Sequence, residues 1–222
     1  VDVFFVLSGF LITWILFEKD IKISNFFKSR FDRIYPALLL VIFLCCLISY
    51  FLLLPSDLAS LAESARSALF FFSNYYFMAE DAYVADSAKF KALLHTWSLS
   101  LEWQFYLIYP FIIIGIKKFF KQHLLACILF LCFLSFIYCN YLMRINLSDA
   151  FYSSPSRVWE LFFGGLAYAV TRHIGSDQKY GYVSLLGLVI VVFSFFYFDD
   201  SMNHPGFISL LVVIGASLVI VF

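Results

Sequence analysis

Read for runs free of Asp, Glu, Lys and Arg, the chain shows seven apolar stretches: Val3–Phe17, Ile34–Leu54, Thr96–Ile116, Leu124–Met143, Ser156–Thr171, Tyr182–Phe198 and Gly206–Phe222. Two of them carry an internal acid, Glu102 and Glu160. A helix crossing the hydrocarbon layer needs about 20 mostly apolar residues. The pattern therefore predicts an all-α, polytopic transmembrane helix bundle. No repeat or low-complexity tract separates the spans.

Segment Leu58–Phe77 is less apolar, because Glu63 and Arg66 interrupt it at i,i+3 on one helical face. Cytoplasmic loops carry an excess of Lys and Arg. If this segment does not cross, Glu18–Arg33, Lys117–His123 and Arg172–Gly181 share a side and hold ten of the 15 Lys and Arg residues. If it does cross, Lys117–His123 moves outside, against the charge bias. The segment is therefore predicted to be an amphipathic, extracytoplasmic helix, with Lys117–His123 cytoplasmic and Ala79–Leu94 outside.

Composition sharpens this reading. Hydrophobic residues make up 63% of the 222 and charged ones 14%, against about 45–50% and about 25% in a soluble domain. Too few charges remain to coat a water-soluble exterior, so the apolar surface must face lipid. The 30 Phe and 14 Tyr suit acyl-chain and headgroup contact. A net charge of zero argues against a nucleic-acid partner. Cys45, Cys46, Cys127, Cys132 and Cys139 all lie in apolar runs, with no CxxC pair and no His at ligand spacing, so neither a disulfide framework nor a metal site is expected. The first residues lack a basic leader and a cleavage site. Both ends of the chain fall inside apolar runs, so a fragment is expected.

Four stretches are chemically unusual for lipid-embedded helices: VDVFFVLSGFLIT (1–13), FFKSRFDRIYPAL (26–38), HTWSLSLEWQFYLIYP (95–110) and SRVWELFFGG (156–165). Ionisable groups at membrane depth must find partners or line a wet cavity. His95, Ser98, Glu102 and Tyr106 stand at i, i+3, i+7 and i+11, which gives one polar helical face. An imidazole and a carboxylate suit removal of a proton from a sugar hydroxyl near neutral pH. They equally suit an interhelical hydrogen-bond cluster.

Arg30 and Arg33 precede Pro36, which fits a first helical turn. Their guanidinium forks could hold a nucleotide-like donor's phosphates. They could also be topology-setting charge, paired with Asp32 or anionic lipid. Arg157 and Glu160, i,i+3 at the outer end of a span, read as a mutually neutralising pair. Ser8-Gly9 suits close helix packing, and there is no G-x-S-x-G elbow. Asp2 lies at the outer rim of its span, where a substrate-binding and an interfacial role both remain open.

Together these four stretches resemble the acyltransferase-3 family, which contains bacterial O-antigen and peptidoglycan O-acetylases. They recur in the family's order across nearly the whole chain, and HTWSLS followed by E-x-Q-F-Y is the specific part. Glu102 matches the family, whereas Trp103 stands where members usually have a second Glu, so no role of that carboxylate carries over. The resemblance implies a bundle of about ten spans, about seven of them here. Residues 1–222 would then be a partial transmembrane acyltransferase domain, truncated at both ends, without the first span, which in members bears an Arg and, further along, a His regarded as the acyl-transfer residue. The closing HPGFISLLVVIGASLVIVF is similar to members fused to an SGNH hydrolase-like domain.

The resemblance further implies an enzyme of the bacterial plasma membrane. Acyl-CoA, expected to be acetyl-CoA, would be the cytoplasmic donor. A hydroxyl of an extracytoplasmic glycan such as O-antigen, exopolysaccharide or peptidoglycan would be the acceptor. Arg30 and Arg33 would bind the donor, while His95, Ser98 and Glu102 would serve catalysis on the acceptor side. Membrane lipid is the expected surround, and no metal is implied. A polysaccharide or small-molecule permease is the rival, since inward polar helices also line transport paths.

Overall fold

A computed structural model of the chain describes residues 1–19, 21–80, 91–174, 181–198 and 204–222. Within these residues the chain is helical with no strand. The helices are α1 (Asp2–Glu18), α2 (Ile23–Leu52), α3 (Pro55–Leu69), α4 (Ser73–Ala79), α5 (Thr96–Phe119), α6 (Leu124–Ile145), α7 (Leu147–Tyr152), α8 (Ser154–Ile174), α9 (Gly181–Tyr197) and α10 (Phe207–Val221). Each of the seven predicted spans is a helix. Of the described helices, Ile23–Leu52, Thr96–Phe119 and the helical run Lys121–Ile145 are long and apolar enough to cross a membrane by length and composition. Parts of the loops assigned from charge, 81–90, 175–180 and 199–203, lie outside the described residues.

Two sequence expectations need correction. Pro36 does not open a helix but lies well inside α2, a 30-residue helix that already includes Arg30 and Arg33. Nothing between Ile23 and Tyr35 breaks a helix, and Lys and Arg are good helix formers. At 1.5 Å per residue α2 is about 45 Å long, more than the hydrocarbon layer, so its basic turns can extend past the membrane. The second correction concerns 58–77, which is two helices rather than one. Pro55 opens α3 in the first-turn position that its missing N–H favours. Leu61, Ser64, Ala65 and Ala68 form its buried face, with Glu63 and Arg66 exposed. At Phe71 the backbone turns left-handed, with φ 57°, and α4 begins anew.

The chain forms two compact units, Ile21–Ile108 and Val1–Asp20 with Tyr109–Phe222, so α5 contributes to both. In the first unit, Leu38 and Ile42 of α2 pack with Leu61, Ala65 and Ala68 of α3 and with Phe71 and Leu93. The second unit is organised around α8, which packs against α1 and α6 and is buried along most of its length.

Lipid tails are as apolar as Leu, so such helices associate through close packing of small residues. A Cβ on Gly9 would lie 1.8 Å from the Leu161 carbonyl oxygen, and one on Gly164 would lie 1.9 Å from the Val6 carbonyl oxygen. The α1 and α8 backbones thus touch at two glycines, the packing role expected of Ser8-Gly9. Gly9→Leu or Gly164→Leu should abolish monodisperse, detergent-stable protein in size-exclusion chromatography. Gly115→Ala, which has nothing within 4 Å of its added carbon, should leave the profile unchanged.

Candidate functional site

Helix α5 carries polar groups on two opposite faces. Thr96, Ser100 and Gln104 repeat every four residues and fasten α5 to the start of α4. Thr96 Oγ1 donates to Ser73 Oγ at 3.0 Å, and Ser73 and Ser100 share a hydroxyl bond of 2.7 Å. Gln104 Nε2 donates to the Phe71 carbonyl at 2.8 Å and to Asn74 Oδ1 at 2.9 Å. The left-handed Phe71 thereby presents its carbonyl to a side chain.

Two residues out of phase with this ladder, about 200° around the helix, stand Ser98, Glu102 and Tyr106. Tyr106 donates its hydroxyl to Glu102 Oε1. The Arg30 guanidinium lies 5.6 Å from the Tyr106 ring centroid and 5.6 Å from that of Phe26. Arg30 is only 8% exposed, and its Nε has no hydrogen-bond partner among the described residues. A guanidinium held between aromatic faces gains cation–π attraction while its donors stay directed elsewhere. An oxyanion would satisfy the buried Nε. Around it runs an aromatic wall. Trp103 stacks on Phe71 at 4.7 Å and meets Phe31 and Tyr106 edge-on at 6.0 and 6.5 Å.

The sequence-predicted residues therefore divide. Arg30 and Glu102 join one cluster through Tyr106. Arg33, one turn on, is exposed. His95 precedes the first turn of α5 and is exposed, and its carbonyl accepts the Ser98 hydroxyl at 3.2 Å.

The unit built on α8 holds a second charged cluster. Arg157, 2% exposed, donates through Nη2 to Asp2 Oδ1 at 3.0 Å and pairs through Nη1 with Glu160 Oε1 at 2.9 Å. Glu160 is 0% exposed, whereas the Asp2 side chain is 19% exposed. The Phe5 and Phe151 rings lie 5.8 and 5.4 Å from the guanidinium. The start of α8 is fixed from α6, because Ser135 Oγ donates to the Pro155 carbonyl at 2.6 Å and accepts from Trp159 N at 3.0 Å. It bridges two groups that a regular helical turn would bond to each other. Ser156 donates to the Ala150 and Ser153 carbonyls, both at 2.7 Å. Sequence reasoning found the Arg157–Glu160 pair and missed its third member, Asp2. The available signal was depth, since Asp2 and Arg157 were both assigned to the outer rim.

Comparisons with known proteins agree with these motifs. The acyltransferase-3 family profile, described as an acyltransferase domain, matches residues 1–222. An uncharacterized protein of Haemophilus influenzae is 30% identical over 236 residues, which cover 99% of this chain and 96% of that protein. O-acetyltransferase OatA of Staphylococcus aureus is 33% identical over 138 residues, 59% of this chain and 22% of OatA. The match thus spans under a quarter of OatA's length. No solved structure is significantly similar. The chain belongs to the acyltransferase-3 family and carries the helical acyltransferase domain of a membrane enzyme.

Proposed function

We propose that the protein transfers an acyl group, acetyl in the first instance, from cytoplasmic acyl-CoA to a hydroxyl of an extracytoplasmic glycan, in a bacterial plasma membrane. The single observation that carries the proposal is the Arg30–Tyr106–Glu102 cluster, which joins the basic motif of α2 to the acidic motif of α5. Arg30, with a buried and unsatisfied Nε, offers a fork to a phosphate of the donor, and exposed Arg33 offers a second cation one turn away. Glu102 is the acid–base group of this cluster, with Ser98 one turn nearer the N-terminus of α5 and His95 just ahead of that helix. In the transfer the thioester C–S bond breaks and an ester C–O bond forms. The acceptor's hydroxyl proton leaves through a base and finally neutralises the CoA thiolate. Acetyl as the group and glycan as the acceptor class rest on the motif resemblance, with the O-acetyltransferase name of the OatA relative supporting acetyl.

The test is donor kinetics in the full-length protein. Arg30→Ala should raise the apparent KM for acyl-CoA about tenfold or more, consistent with loss of a charge-assisted contact of about 1.5–3 kcal/mol. The KM for the acceptor should change little. An unchanged donor KM in well-expressed Arg30→Ala protein would remove Arg30 from the donor site and leave it as a helix-packing cation.

A further inference from the structure

At the end of the α8-centred unit opposite its Asp2–Arg157 cluster, the short 3₁₀ turn Lys121–His123 and the last turn of α8 border a half-open pocket of about 420 Å³. It is lined by Lys121, Gln122, Leu124, Ala169, Arg172 and His173. Among the described residues, no carboxylate lines it. Leu124 and Ala169 are buried and form an apolar floor, while Lys121, Gln122, Arg172 and His173 are exposed and supply nitrogen donors.

Glu18, beside Arg172, is already engaged. Glu18 Oε1 accepts the Tyr168 hydroxyl at 2.6 Å and lies 3.7 Å from Arg172 Nε. Two cations also converge on one ring. Arg172 lies 4.3 Å and Lys117 5.9 Å from the same Phe17 ring centroid. Stacking on Phe17 orders the Arg172 guanidinium before any ligand arrives, which reduces the entropy lost on binding.

We infer that this cavity binds a phosphate ester on an amphiphile at the membrane surface, with Lys121 and Arg172 holding the phosphate and Leu124 and Ala169 receiving the adjoining carbon skeleton. An Arg fork beside a Lys point charge matches phosphate oxygens. The apolar floor and the volume accommodate more than an inorganic ion. Two sources carry this chemistry: the headgroup of an anionic phospholipid, and the nucleotide phosphates of an acyl-CoA. The second rests on the proposed function and the first does not.

The experiment compares wild-type full-length protein with Lys121→Gln/Arg172→Gln and with the control Lys118→Gln, whose ammonium lies over the Phe119 ring and does not line the cavity. One arm measures phosphatidylglycerol retained after delipidation, by native mass spectrometry. The other measures binding of CoA to protein in nanodiscs of zwitterionic lipid, by calorimetry. The double variant should weaken at least one of these about tenfold or more, with Lys118→Gln matching wild type. Loss in the lipid arm alone identifies a headgroup site, loss in the CoA arm alone a donor site, and loss in both a site selecting phosphate as such. Equal binding by wild type and double variant in both arms, or an equal loss in Lys118→Gln, overturns the inference. Wild-type protein that binds no CoA defeats the donor reading while leaving the lipid arm decisive.

Discussion

Arg157→Met in the full-length protein is expected to lose about 3–5 kcal/mol of stability, because it leaves the wholly buried Glu160 carboxylate without its cation. For a chain of this size that is a drop of about 6–20 °C in melting temperature, measurable by tryptophan fluorescence in detergent. The double variant Arg157→Met/Glu160→Met should recover most of the loss. Two desolvated charges then go together, and replacing a buried ion pair by apolar groups of similar volume is often neutral. Asp2 would remain, but its partly exposed side chain can take up water. Melting of Arg157→Met at the wild-type temperature would show that the cluster contributes nothing to the fold. A double variant that regains stability but not acyl transfer would assign the Arg157 and Glu160 charges to the reaction.

The fold was legible wherever apolar run length determined it. Each of the seven stretches is helical, and α5 begins at Thr96 as expected. Sequence reading failed where a local rule met a longer context. Proline's preference for the first helical turn puts Pro36 at a helix start, yet α2 carries it internally. The break at Phe71 was illegible, since a left-handed Phe has no sequence signature and is stabilised here by Gln104, 33 residues away. The same limit applies to the site. A face of His95, Ser98, Glu102 and Tyr106 follows from helical periodicity. That Tyr106 would be the residue joining Glu102 to Arg30 depends on how α2 and α5 meet, which periodicity does not encode. The opposite face of Thr96, Ser100 and Gln104 has equal spacing and proves to be the one that fastens α5 to α4. Spacing alone could not rank the two.

Glu102→Gln is expected to keep normal membrane levels and a near-normal melting temperature while lowering glycan acylation about 10²–10⁴-fold, the usual effect of removing an acid–base group. The bond from Tyr106 to Glu102 lies within α5, so its loss does not unfasten that helix from a neighbour. The ladder to α4 is untouched. Glutamine can still accept the Tyr106 hydroxyl through its amide oxygen, but it cannot take up a proton. Tyr106→Phe reverses the test. It keeps the ring over Arg30 and removes the hydroxyl, so donor KM should hold while the rate falls by less than in Glu102→Gln. His95→Ala, at an exposed position ahead of the helix, should also leave the melting temperature unchanged, so a loss of acylation there reports on function. Interhelical hydrogen bonds in membranes contribute about 0.6–2 kcal/mol, so a purely structural cluster would show modest destabilisation with activity falling in proportion to folded protein. That proportional pattern in Glu102→Gln and His95→Ala would sink the catalytic assignment of this face.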